Sequence, residues 1–123
     1  MPARTPQEVH ELFTQAFTAR DSEALVALYE PEAAFMPQPG QVVSGHAAIR
    51  EAIGGFLALN AEFKMQPGTV IEAGDIALLL SKWTLNGTDP SGAAVEMAGQ
   101  TADVVRRQPD GYWLIVIDNP YGA

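Results

Sequence analysis

The hydrophobic spacing of this chain changes once, near Asn60, and that change limits the folds open to it. Before Asn60, apolar residues recur every three or four positions. Thr5-Pro6-Gln7-Glu8 is a helix start: Thr5 caps, Pro6 suits the first helical position, and Glu8 completes a capping box. Val9, Leu12, Phe13, Ala16 and Phe17 then form one apolar face. Asp21 caps a second short helix with Leu25, Leu28 and Tyr29 inward, ended by Pro31. Ala33 to Met36 reads as a short strand. Pro37-Gln38-Pro39-Gly40 reads as a loop, since neither proline can donate to a ladder. Ser44-Gly45 opens a third helix carrying Ile49, Ile53, Phe56 and Leu57, weakened in the middle by Gly54-Gly55. After Asn60 the pattern is that of strands: Phe63 to Ala73, bent at Pro67-Gly68; Ile76 to Leu85; Ala93 to Arg107; and Tyr112 to Asn119. Gly74-Asp75, the stretch from Asn86 to Gly92, and Pro109-Asp110-Gly111 supply the turns. Helices first and an antiparallel meander after is an α+β pattern. With no repeat and no linker, residues 1–123 are expected to form one domain, its sheet of four or five strands.

Seven basic residues against fifteen acidic ones give a net charge of −8, which argues against a nucleic-acid or anionic-membrane partner. Cysteine is absent, so there is no disulfide framework, thiolate metal site or thiol nucleophile. Met1-Pro2-Ala3-Arg4 lacks the apolar region of a signal peptide, and the apolar runs are too short to span a bilayer. A cytoplasmic location is the expectation.

The last two strands carry the chemistry. Asp103 sits in the otherwise half-buried stretch Gly99 to Val105, and Asp118 ends Tyr112 to Ile117, the most apolar strand of the chain. Aspartate is disfavoured in strands and rarely buried without a partner. If Pro109-Asp110 is a two-residue turn, Asp103 faces Val116 and Thr101 faces Asp118. Met97, Gly99, Thr101, Asp103, Val105, Leu114, Val116 and Asp118 then share one face, with Gln100, Ala102, Val104, Arg106, Trp113, Ile115 and Ile117 on the other. A one-residue bulge would put the two acids on opposite faces. Both faces are apolar, as is Ile76-Ala77-Leu78-Leu79-Leu80, and three short helices can cover only one of them. The other face is expected to pack on a second copy of the sheet, giving a homodimer.

The element order, with Ala19-Arg20-Asp21-Ser22-Glu23-Ala24-Leu25-Val26-Ala27-Leu28-Tyr29, Ser44-Gly45-His46-Ala47-Ala48-Ile49-Arg50-Glu51 and the stretch from Ala102-Asp103 to Asn119, resembles the nuclear transport factor 2-like superfamily over nearly the whole chain. That group includes bacterial ketosteroid isomerases and polyketide cyclases. The resemblance implies a curved, cone-shaped sheet wrapped on three N-terminal helices around an apolar cavity, usually dimeric through the sheets. Ketosteroid isomerases use a general-base aspartate and an oxyanion hole of a tyrosine and a protonated aspartate. Carried over, the protonated aspartate falls on Asp103, the tyrosine on Phe13 and the base on Pro37, with Gln38 beside it. Two of the three roles lack the necessary group, so steroid isomerisation by that route is not expected. Asp118 falls where those enzymes place a small pocket-lining residue.

These readings name Asp103 and Asp118 as candidate catalytic acids, sharing one proton in a low-dielectric pocket. Phe13, Phe17, Met36, Gln38, Phe56, Trp83, Thr101 and Val116 are the candidate ligand contacts. The plainer alternatives are an Asp103 bonded to backbone or to Thr101, an Asp118 capping a strand-end turn, and apolar residues that are simply core. His10 points off the apolar face and reads as surface, and His46 as a solvated first-turn residue. Ser81 and Ser91 have no adjacent base in sequence. No metal or cofactor is expected. The leading function is a small-molecule pocket with acid–base chemistry of the isomerase, cyclase or dehydratase type on an apolar carbonyl compound. A non-catalytic binding module and a dimerisation scaffold are the alternatives.

Overall fold

The structure, a computed structural model, describes residues 2–122; Met1, the first residue of the N-terminal stretch read above, and Ala123 lie outside the described residues. The helices are α1 (Pro6–Thr18), α2 (Ser22–Val26) and α3 (His46–Leu57). The strands are β1 (Tyr29–Gln38), β2 (Gln41–Ser44), β3 (Asn60–Ala73), β4 (Ile76–Thr88), β5 (Ala94–Gln100), β6 (Asp103–Arg107) and β7 (Trp113–Asp118). The seven strands form one curved, unclosed sheet in the order β2-β1-β7-β6-β4-β3, with β5 also on β4. Among the described residues, β1 and β7 pair in parallel and every other strand pair is antiparallel. The α+β class is as expected, with more strands than the four or five anticipated. Among the described residues no helix is long and apolar enough to cross a membrane.

The helix signals act as their chemistry predicts. Thr5 Oγ1 accepts the Glu8 N–H at 3.2 Å, while the Glu8 carboxylate turns back to the Arg4 N–H at 2.9 Å, one residue ahead of the cap. Asp21 accepts the Ala24 N–H at 3.0 Å and starts α2. Tyr29, expected on that helix, begins β1 instead. β1 tolerates Pro31 because its register against β7 shifts between Tyr29 and Ala34, where a missing N–H costs no ladder bond. Pro37 lies in the second irregularity, between Phe35 and Gln38 against β2, so the expected loop at Pro37-Gln38 is strand. The turn is Pro39-Gly40, and it returns into β2, a four-residue strand too short to show a period.

Two further departures decide the site. The expected strand from Ala93 to Arg107 is broken at Thr101-Ala102. β5 and β6 keep one register along β4, but the Ala102 N–H turns away to Asn119 O at 2.9 Å. The last hairpin has a three-residue loop rather than the two-residue turn. Gln108 N–H bonds Tyr112 O at 2.7 Å and Gly111 takes φ +89°, a left-handed conformation that glycine adopts without strain. Arg107 therefore faces Trp113, and Val105 faces Ile115. A bulge after Val105 then pairs Val104 with Ile117.

The core lies between the helices and the inner sheet face, around Val9, Leu25, Tyr29, Ile49, Leu79 and Val105, with Ile115 beside them. Trp113 and Ile115 are thus inner residues, against the face expected for them, and Leu114 and Val116 leave the inner face. The outer face leaves Ile71 52 % exposed and Ile76 and Ile117 44 % exposed each.

Candidate functional site

The corrected register explains how two carboxylates come to share one place. With Arg107 opposite Trp113, strict alternation would turn Asp118 outward. The bulge adds one residue, Val116, on β7 and returns Asp118 to the inner face directly after Ile117. The bulge that was expected to separate the acids is what unites them. Asp103 and Asp118 are both buried and close enough that each shifts the proton affinity of the other.

Four further residues complete the network. His10 Nε2 lies 2.7 Å from Asp103 Oδ2, and His10 Nδ1 lies 2.9 Å from Ser81 Oγ. The Tyr29 hydroxyl donates to Asp118 Oδ2. The Asn119 N–H donates to Asp103 Oδ1 at 2.8 Å. His10 is buried, not on the surface, and Ser81 does have a base beside it. Sequence reading missed both because the partners are 71 and 93 residues away along the chain. The available signal was at α1, where His10 follows Val9 directly and Phe13 and Phe17 continue its line at helical spacing.

Burial dominates the electrostatics. It pushes the Asp103 carboxyl up to about 7, against the Asn119 amide and the Asp118 hydrogen bond, which both hold it down. Asp118 is raised well above the carboxylate range, by burial first and then by the Asp103 charge. Tyr29 is also lifted by burial and by Asp118. Burial lowers His10 to about 4, with the Asp118 charge opposing. The His10–Asp103 contact has ion-pair geometry. Desolvation outweighs the attraction, however, and the imidazole is neutral at neutral pH. One assignment gives every atom a partner: Ser81 Oγ–H to His10 Nδ1, His10 Nε2–H to Asp103, the Asp118 proton to Asp103, and Tyr29 O–H to Asp118. The network then carries a single negative charge, centred on Asp103.

Asp103, Asp118 and His10 open onto a cavity of about 70 Å³, room for a few waters or a small organic group. Phe13, Phe17, Phe56, Trp83 and Thr101, five of the candidate ligand contacts, line it together with Phe63, Ile115 and Tyr121. Val116 is not among its walls; Ile115 takes that place. Gln38 lines a separate, open groove beside α3, whose wall shares Phe56 with the cavity, and Met36 lines neither. Tyr29 and Ser81 stand behind the cavity wall. His46, read as solvated, is half-buried with Nε2 2.8 Å from Tyr29 O, tying the start of α3 to β1. No group of three or more His, Cys, Asp or Glu side chains among the described residues is arranged so that it could hold a metal ion.

The SnoaL-like domain matches residues 9–115. The chain belongs to that family. Its structure is similar to those of several solved proteins of the NTF2-like superfamily. A ketosteroid isomerase-like protein from Erwinia carotovora atroseptica is 20 % identical with TM-score 0.80, over 91 % of this chain and 88 % of that one. An NTF2-like protein with a cystatin-like fold from Novosphingobium aromaticivorans is 22 % identical with TM-score 0.75, over 90 % and 75 %. A protein of unknown function from Mycobacterium tuberculosis is 21 % identical with TM-score 0.77, over 91 % and 70 %. No curated protein matches the sequence. At these identities the likeness establishes the fold, and the chemistry must be argued from the site.

Proposed function

We propose that this SnoaL-like domain binds a small apolar carbonyl compound and moves a proton within it. One observation carries the reading: two buried carboxyls stand together at the wall of an otherwise apolar cavity, an arrangement in which they would share one proton. Their unequal environments divide the roles. Asp103, the more acidic, takes a proton from the carbon beside the carbonyl. The C–H electron pair passes to the carbonyl oxygen as an enolate. Asp118, which keeps its proton, turns it from Asp103 to that oxygen, while the Tyr29 hydroxyl still donates to its other oxygen. Return of the proton from Asp103 to another carbon completes an isomerisation, with no net change of charge. Such general-base help is worth about 10²–10⁴-fold.

Solvent exchange tests this without a known substrate. Small enolisable ketones such as 2-cyclohexenone and 2-tetralone, incubated with the protein in D₂O, should gain deuterium beside the carbonyl. Asp103→Asn should slow the gain by about 10²-fold or more. Absence of protein-dependent exchange across a broad ketone panel would leave the second reading, a non-catalytic binding module for apolar ligands. One feature favours that alternative: every buried side-chain N or O among the described residues already has a partner. We propose in addition that the outer sheet face, with Ile71, Ile76 and Ile117 exposed, pairs with a second copy of the chain.

A further inference from the structure

Residues 119–122 follow β7 and run along the cavity, where Pro120 and Tyr121 form part of its wall. Three bonds fix their path. Trp83 Nε1–H donates to Pro120 O at 2.7 Å. The Tyr121 hydroxyl donates to Pro37 O at 2.6 Å, reaching the far end of β1. The Ala102 N–H donates to Asn119 O at 2.9 Å, at the break between β5 and β6. Trp83 and Tyr121 also meet edge to face, with ring centroids 6.2 Å apart. Gly99 makes room for this arrangement: a Cβ there would lie 2.8 Å from Trp83 Nε1 and 2.7 Å from Pro120 O. The same segment supplies the Asn119 N–H that sits on Asp103 Oδ1.

We propose that Asn119 and Tyr121 are positioning residues for Asp103: Tyr121 latches the C-terminal strap to Pro37, and the strap so held keeps the Asn119 N–H on the carboxylate that acts as base. The proposal rests on the reading of Asp103 as the base. Asp103 accepts from two N–H donors, one on the helix side (His10) and one on the strap (Asn119). Release of the strap removes one of them and leaves a more weakly supported carboxylate, with a higher proton affinity. The strap held in this place therefore favours the ionised base. The other titratable groups facing Asp103 are Asp118 and Tyr29, from β7 and β1; Tyr121 itself lies near Asp118. None of these is removed by opening the strap except Tyr121, which is uncharged at neutral pH.

Titration of protein labelled with ¹³C at aspartate carboxyls tests this without any substrate. Tyr121→Phe removes the latch but keeps the ring. Its Asn119 amide should exchange with solvent faster than in the wild type, and the Asp103 midpoint should move upward, by about one pH unit if the amide bond is lost outright. Trp83→Phe, which frees Pro120 O, should shift both readouts in the same directions and serves if the first variant misfolds. Faster exchange with an unmoved Asp103 midpoint would overturn the positioning role. Unchanged exchange in both variants would overturn the latch. Neither result bears on whether Asp103 acts on substrate, which the ketone exchange of Asp103→Asn decides on its own.

Discussion

At the scale of single residues, the site sets His10 and Asp103 against each other. Asp103 is raised to about 7 in the fold, so its protonated form contributes stability that is full below the unfolded value, about 3.9, and is lost as pH rises through 7. His10 is lowered to about 4, so its neutral form contributes stability that is full above the unfolded value, about 6.5, and is lost as pH falls through 4. Between about pH 4 and 6.5 the slopes oppose, each up to about 1.4 kcal/mol per unit, and the wild type should show little slope from this pair. Asp103→Asn should unmask the histidine, with stability falling as pH drops. An amide there can donate to His10 Nε2 while the imidazole proton moves to Nδ1, facing Ser81. His10→Gln should unmask the aspartate, with stability falling as pH rises from 4 to 7. Urea unfolding at half-unit pH steps reads both, and parallel curves for the three proteins would mean that the pair does not titrate in this way. Phe13 and Pro37 yield a negative prediction. With no phenol and no carboxylate there, 3-oxo-Δ5-steroids should not be isomerised at an enzymatic rate in a standard absorbance assay. Rapid turnover would show that Asp103 and Asp118 suffice.

At the scale of elements, the irregularities of the sheet carry the site. The break at Thr101-Ala102 and the bulge at Val116 each spoil a ladder, and each turns a polar group inward or toward the strap. Gly99 belongs to this set. Gly99→Ala should cost about 1–3 kcal/mol, because the methyl meets the Trp83 ring and the Pro120 carbonyl, neither of which can move without losing the bond between them. Thermal unfolding would measure it, and a melting point equal to the wild type would mean that the strap yields freely. Removal of the helix cap by Thr5→Ala should cost about 1 kcal/mol on the same assay, independent of the site.

At the scale of the whole molecule, the sheet has one face under the helices and one without cover. The register correction changes which residue tests the proposed dimer. Ile115 is inner and fully buried, so a lysine there would unfold the chain and say nothing of assembly. Ile117, 44 % exposed, lies on the outer face. Ile117→Lys should leave the fold intact and yield monomers by sedimentation, where the wild type sediments as a dimer at micromolar concentration. A monomeric wild type would remove the dimer altogether.

The amino-acid sequence by itself determined the class of the fold, the two helix caps, the long β3–β4 hairpin with an irregularity at Pro67, and that Asp103 and Asp118 stand out in apolar strands. Each of these depends on neighbours within a few residues: a cap reaches three positions, a hydrophobic face repeats every two or four, and a proline acts on its own backbone. Residues at short range could not decide the register of the last hairpin, which turns on whether Gly111 joins the loop, and a one-residue error exchanged Ile115 for Val116. Nor could they place His10 with Ser81 and Asp103, or Tyr29 with Asp118, since these partners lie 71 to 93 residues apart and meet only when α1 and β1 pack on the finished sheet. The tertiary structure decided those contacts, because buried polar groups must find partners wherever the packing brings them.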